Sequence, residues 1–136
     1  PITSDAADYK LAGGAANARL ADLHWPPDLV WLGMGTDGHT ASIFPGPDME
    51  TALEGGKDVR AVGVAPDPMP PEAPVNRVTL TASAIGTART AILVINGAEK
   101  REVLEAAIEQ GSKSAYPVGR VLDKIAVPVD IYCLDD

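Results

Sequence analysis

Residues 90–110, TAILVINGAEKREVLEAAIEQ, restrict the folds open to this chain more than any other stretch. TAILVIN (90–96) is an unbroken apolar run, the pattern of a central strand in a parallel sheet covered on both faces. Gly97 turns the chain. AEKREVLEAAIEQ (98–110) then places Val103, Leu104, Ala107 and Ile108 on one face of a helix, and Gly111 suits its C-terminal cap. A buried strand running straight into an amphipathic helix is the building unit of α/β folds.

The remaining segments extend that unit. Residues 5–23 read as a helix, with Tyr9, Ala12, Ala16, Leu20 and Leu23 recurring at spacings of three and four. Asp5 and Asp8 lie where a helix N-terminus favours negative charge. Gly13–Gly14 lowers the propensity, and HWPPD (24–28) ends the helix; His24 there reads as a structural or exposed residue. DLVWLG (28–33) reads as a buried strand and DVRAVGVA (58–65) as another. PDPMPPEAP (66–74) is too rich in proline for a helix or a central strand, so it is a surface connection. RVTLT (77–81) is β-prone, 82–86 and 117–124 suit short helices, and PVDIYCL (128–134) suits a last strand that takes Cys133 into a buried position. Strands alternating with helices define an α/β class, a Rossmann-like three-layer fold with a mainly parallel sheet. Its 136 residues suit one domain, 1–136. Ligands in such sheets collect at the carboxyl ends of the strands.

One such end carries WLGMGTDGHTASIFPG (31–46). Gly33, Gly35 and Gly38 spell Gly-x-Gly-x-x-Gly, the form of a dinucleotide-binding loop. That mechanism needs a long helix directly after the glycines to receive a pyrophosphate. Pro45 and Pro47 leave no room for one. The glycines instead permit unusual backbone angles and leave N–H groups free to meet an anion or a developing oxyanion. His39 adds a group that can take a proton from water near neutral pH. Asp37, two residues away, can orient its imidazole. Thr40 and Ser42 are candidate hydroxyl ligands, one of them better explained as a cap.

At these residues the chain resembles the 6-phosphogluconolactonase family. GMGTDGHTASIFPG (33–46) is similar to that family's signature, and NRVTLT (76–81) and INGAEKREVL (95–104) resemble two later segments in the same order. The family shares a superfamily with glucosamine-6-phosphate deaminases, whose related loop has the form DGHIAFNEPG. The Asn-Glu pair of that loop falls on Ile43 and Phe44 here, so the glutamate of deamination chemistry is absent. The resemblance implies hydrolysis of 6-phospho-D-glucono-1,5-lactone, a step of the oxidative pentose phosphate pathway. It implies His39 as general base, Asp37 as its orienting partner, and Gly35, Gly38, Thr40, Arg77 and Lys100 as substrate-binding residues, the last two through the phosphate. Family members are longer, and the additional part precedes residue 1, so the chain is expected to be the C-terminal portion of the fold and inactive alone. The competing readings are a sugar-phosphate deaminase or isomerase and a non-catalytic sugar-phosphate-binding module.

The rest of the composition narrows the setting. A net charge of −8 argues against non-specific binding to nucleic acid or an anionic membrane, while a few placed cations still serve a small anionic substrate. No apolar run approaches the ~18 residues of a membrane span, and PITSDAADYK has no signal-peptide pattern. The single cysteine, Cys133, forms no internal disulfide, which fits a reducing, cytoplasmic compartment. Two histidines and one cysteine make no convincing metal cluster. The expected partner is the sugar-phosphate lactone alone, with no cofactor, in a monomer or weak homo-oligomer.

Overall fold

The computed structural model describes residues 1–134. In chain order the elements are α1 (Tyr9–Ala21), β1 (Val30–Leu32), α2 (Met49–Leu53), β2 (Ala61–Val64), β3 (Arg77–Leu80), α3 (Ala82–Gly86), β4 (Ala91–Asn96), α4 (Ala98–Gln110), α5 (Pro117–Lys124) and β5 (Val129–Leu134). β1, β4 and β5 form a parallel sheet in the order β1-β4-β5. β2 and β3 form a separate antiparallel pair. The expected α/β class with a parallel sheet is therefore present, and the antiparallel pair is an addition to it. β2 and β3 are joined by the proline-rich stretch, and consecutive strands with a direct connection pair antiparallel without a crossover helix.

TAILVIN does supply the central strand. Val30 sits beside Ala91 and Leu32 beside Leu93, while Ala91, Leu93 and Ile95 are buried on one face. Each buried Leu or Ile contributes roughly 1.5–3 kcal/mol relative to exposure. The other face departs from expectation, because Ile92 and Val94 are only half-buried and Trp31 beside Ile92 is 69% exposed. DLVWLG is thus an edge strand with one covered face. Cys133 is half-buried rather than buried: it lies on β5, the sheet's other edge, and touches the core from there.

The core joins the covered sheet face to α3, α4 and α5. Ile85, Leu104, Ala107, Val118 and Val121 pack with Leu93 and Ile95. Leu104 and Ala107 of α4 face inward as its period requires, whereas Ile108 is half exposed beyond the edge of that contact. Pro117 starts α5, where its missing N–H costs no helical bond.

α1 is shorter than 5–23 because Asp8, not Asp5, caps it, accepting from the amides of Lys10 and Leu11. Leu23 lies past its end and is exposed. Gly13, the first of the two glycines, has a packing reason. A Cβ on Gly13 would sit 2.0 Å from the backbone nitrogen of Gly63 in β2, so helix and strand approach closer than any other residue allows. Asn17 secures the same contact by accepting from the amides of Arg60 and Ala61.

Among the described residues, no helix is long and apolar enough to cross a membrane. α2 was not foreseen in the sequence: it is a five-residue helix just after Pro47. It is held to α5 by Arg120, whose two terminal nitrogens meet the two carboxylate oxygens of Glu50 at 2.5 and 2.9 Å. That fork holds the Glu50 carboxyl below the usual carboxylate range. A depressed carboxylate stabilises the fold above its unfolded value and loses that contribution as pH falls through the folded value. Glu50 is 61% exposed, so solvent screening limits the pair to at most ~1 kcal/mol. Glu50→Gln should lower the melting temperature slightly at pH 7 and not at all at an acid pH below the folded carboxyl's lowered range. Melting curves recorded at both pH values would show whether the gap closes in acid.

Candidate functional site

Parallel pairing brings the site together. β1 and β4 run side by side in the same direction, so the loop after β1 and the start of α4 emerge at one end of the sheet. The loop carries Asp37 and His39, and the first turn of α4 carries Lys100. They line one cleft of about 650 Å³ with Phe44, Arg77 and the proline-rich stretch around Pro68–Ala73. The surface connection is therefore a wall of the site.

Asp37 and His39 form the expected pair. Oδ1 of Asp37 lies 2.5 Å from Nδ1 of His39 and also accepts the His39 backbone N–H at 3.0 Å. An ionised carboxylate only accepts, so Nδ1 carries the hydrogen and Nε2 is left as the basic atom. The pair is partly exposed, at 30% for His39 and 48% for Asp37.

Two of the glycines serve the geometry directly. A Cβ on Gly35 would lie 2.3 Å from Cε1 and Nδ1 of His39 and 2.7 Å from Oδ1 of Asp37. The imidazole occupies the space a side chain would take. Gly38 turns with φ +78° and packs against Tyr116, a conformation that disfavours a Cβ. A Cβ on Gly33 would meet nothing within 4 Å. So Gly35 and Gly38 answer to different local demands, while the space around Gly33 imposes none.

Two expectations need correction. Thr40 does not face the cleft. It is 1% exposed, and its hydroxyl donates to the carbonyl of Gly33 at 2.7 Å, so it braces the loop instead of touching a ligand. The backbone donors are also fewer than the glycines suggest, because the Gly35 N–H bonds to the His39 carbonyl and the Gly38 N–H to the Gly35 carbonyl. Thr36 and Asp37 line the cleft, and their amides take no part in these two bonds. Ser42 lines the cleft, and its backbone N–H donates to the hydroxyl of Thr79 on β3.

Phe44 carries more than the sequence reading gave it. Its ring stacks on His39 with centroids 4.1 Å apart and planes 22° apart. The guanidinium carbon of Arg77 lies 4.8 Å from the same ring. Arg77 opens β3 and also donates to the carbonyls of Val75 and Ala73 at 2.6 and 2.7 Å, which ties the proline-rich wall to the sheet pair. Two of its five N–H donors are used this way. Ala41, with φ +52°, holds a left-handed conformation uncommon outside glycine at the cleft's lining; nothing in its spelling announces this. Among the described residues, no group of three or more His, Cys, Asp or Glu side chains is placed to hold a metal ion.

A parallel α/β sheet with an Asp–His pair on a tight loop at its carboxyl end, and cations beside it, defines a class of small-molecule-processing α/β proteins. Residues 1–128 match the family described as glucosamine-6-phosphate isomerases/6-phosphogluconolactonase. The chain belongs to that family. It is similar to the 6-phosphogluconolactonase of Rhizobium meliloti, 38% identical over 97% of this chain and 56% of the relative. It is similar also to that of Neisseria meningitidis, 40% identical over 78% of this chain and 44% of the relative. Among solved structures, the crystal structure of a 6-phosphogluconolactonase from Shewanella baltica matches with a TM-score of 0.84 at 32% identity, over 99% of this chain and 55% of the other. The 6-phosphogluconolactonase of Trypanosoma brucei matches with a TM-score of 0.73 at 34% identity, over 98% and 53%. The chain spans about half the length of the curated relatives it matches.

Proposed function

We propose that this chain provides the base-bearing part of a 6-phosphogluconolactonase, which hydrolyses 6-phospho-D-glucono-1,5-lactone to 6-phosphogluconate in the oxidative pentose phosphate pathway. The observation that carries the reading is the 2.5 Å contact between Asp37 and His39 in a cleft shared with Lys100 and Arg77. Family membership supports it.

Nε2 of His39 takes a proton from water as the water oxygen attacks the lactone carbonyl. Asp37 stabilises the imidazolium that forms. The carbonyl oxygen becomes an oxyanion, received by the amides of Thr36 and Asp37. The bond from carbonyl carbon to ring oxygen then breaks, and the imidazolium returns its proton to that oxygen. Lys100 and the unused donors of Arg77 hold the remote phosphate and so fix the lactone over His39. No step calls for a metal or redox cofactor. The reading places the protein in the cytoplasm, where the lone thiol of Cys133 stays reduced.

A deaminase is the second reading, and it is disfavoured at Phe44: an apolar ring, 8% exposed, stands where that chemistry uses a glutamate. Ammonia release from glucosamine 6-phosphate by the full-length protein, without lactone turnover, would reverse the choice.

Lys100→Ala in the full-length protein should raise KM for the phosphorylated lactone about tenfold or more, with a smaller effect on kcat, because a charge-assisted contact to phosphate is worth roughly 1.5–3 kcal/mol. Parallel kinetics with unphosphorylated gluconolactone provide the check. An equal rise in KM for both substrates would remove Lys100 from the phosphate.

A further inference from the structure

Phe44 replaces a reactive carboxylate, yet it is not inert filling. It is the only phenylalanine in the chain. Its backbone follows directly on the tight turn in which the Ile43 N–H donates to the Thr40 carbonyl, a turn that begins one residue after His39. The neighbouring Ile43 is fully buried in the core, which anchors the turn. From there the ring touches the two groups that the reaction must hold in register: the imidazole of His39 at 4.1 Å and the guanidinium of Arg77 at 4.8 Å.

A hydrogen bond to Asp37 fixes one ring atom of His39 but leaves the imidazole free to tilt about that bond. The nearly parallel ring of Phe44 removes that freedom, since offset-stacked planes resist tilting. The Arg77 contact is of the cation–π kind, which suits a planar guanidinium. Arg77 is also tied to the carbonyls of Ala73 and Val75. The aromatic ring thus contacts both the imidazole and a guanidinium that is itself tied to the proline-rich wall.

Resting on the reading of His39 as the base, we propose that Phe44 is a positioning residue that sets both the His39 imidazole and the Arg77 guanidinium. It couples proton transfer to phosphate binding. Removing the ring while keeping an apolar side chain should therefore damage both functions at once, in contrast to Lys100→Ala, which acts on phosphate alone.

The test uses the full-length protein with Phe44→Leu, Phe44→Met and Phe44→Tyr. With the phosphorylated lactone, Phe44→Leu should lower kcat on the order of 10-fold through misplacement of the base and also raise KM. Phe44→Tyr keeps the ring and should restore both. Proton NMR gives a second measure that needs no turnover. In the wild type, the His39 ring protons should resonate upfield of those of the exposed His24, because they lie over an aromatic face; Phe44→Leu should move them downfield and Phe44→Tyr should not. Phe44→Met, of similar volume and flexible, takes the place of leucine if thermal melting shows that Phe44→Leu is unfolded. His39 resonances unmoved by loss of the ring would overturn the proposal, as would unchanged kcat in a folded ring-less variant. Wild-type protein inactive on the lactone would sink the functional reading instead, and the NMR measurement would still decide the role of Phe44.

Discussion

His39→Ala in the full-length protein is expected to lower kcat for 6-phosphogluconolactone by at least ~10²-fold, with KM changed little. The size follows from the role. Positioned general bases contribute about 10²–10⁴-fold, and His39 is the single imidazole in the cleft. Water would otherwise have to attack with no acceptor for its proton. The split between kcat and KM follows from the proposed distribution of tasks, in which Lys100 and Arg77, and not His39, hold the phosphate. The fold should survive, because His39 is not part of the core. Kinetics paired with a melting curve make the measurement. A folded variant that turns over near the wild-type rate would show that another group takes the proton.

The second large effect is expected at Gly35. Gly35→Ala places a Cβ 2.3 Å from the imidazole, inside any real carbon contact. The backbone there is held by the Gly35 and Gly38 bonds, whereas the ring can swing. The ring therefore yields, leaving Asp37 and its stack on Phe44. A base displaced by about an ångström costs on the order of 10²-fold in rate. Stability should change much less than activity, since no core atom is displaced. Gly33→Ala is the matched control, because its Cβ meets nothing within 4 Å; it should turn over like the wild type. Equal losses at Gly33 and Gly35 would mean that the motif matters as a flexible loop and not as a seat for His39.

Much of the architecture was legible because it rests on local periodicity. TAILVIN and AEKREVLEAAIEQ declare a strand and a helix in their own spacing, whereas the strand order β1-β4-β5 is visible only in the structure. Asp37 was legible as a candidate partner of His39 from its nearness in sequence, but a separation of two residues does not guarantee contact, and the 2.5 Å approach is a finding of the structure. What was hidden depends on partners far along the chain. Gly13 reads as a helix weakener until Gly63 is seen against it. Trp31 reads as a core residue because apolar runs do not say which face is covered. Thr40 reads as a ligand, since only the position of the Gly33 carbonyl reveals that its hydroxyl turns inward. The contacts of Phe44 with both His39 and Arg77 join segments more than thirty positions apart, a relation that no spacing rule contains. α2 escaped notice because five residues between proline and glycine carry too few periods to register.

The pairing of the sheet also sets an order of events in time. Val30 finds its neighbour Ala91 roughly sixty residues later, whereas β2 and β3 close over a much shorter loop. Closing the longer loop costs more chain entropy before any contact repays it, and non-local pairings of this kind slow folding. The antiparallel pair and the amphipathic α4 therefore form against a lower barrier than the junction of β1 with β4. The cleft exists only once that junction is made, because His39 follows β1 and Lys100 follows β4. The groups proposed for catalysis are thus expected to be among the last parts of this chain to meet, so that a chain with most of its secondary structure would still lack its cleft.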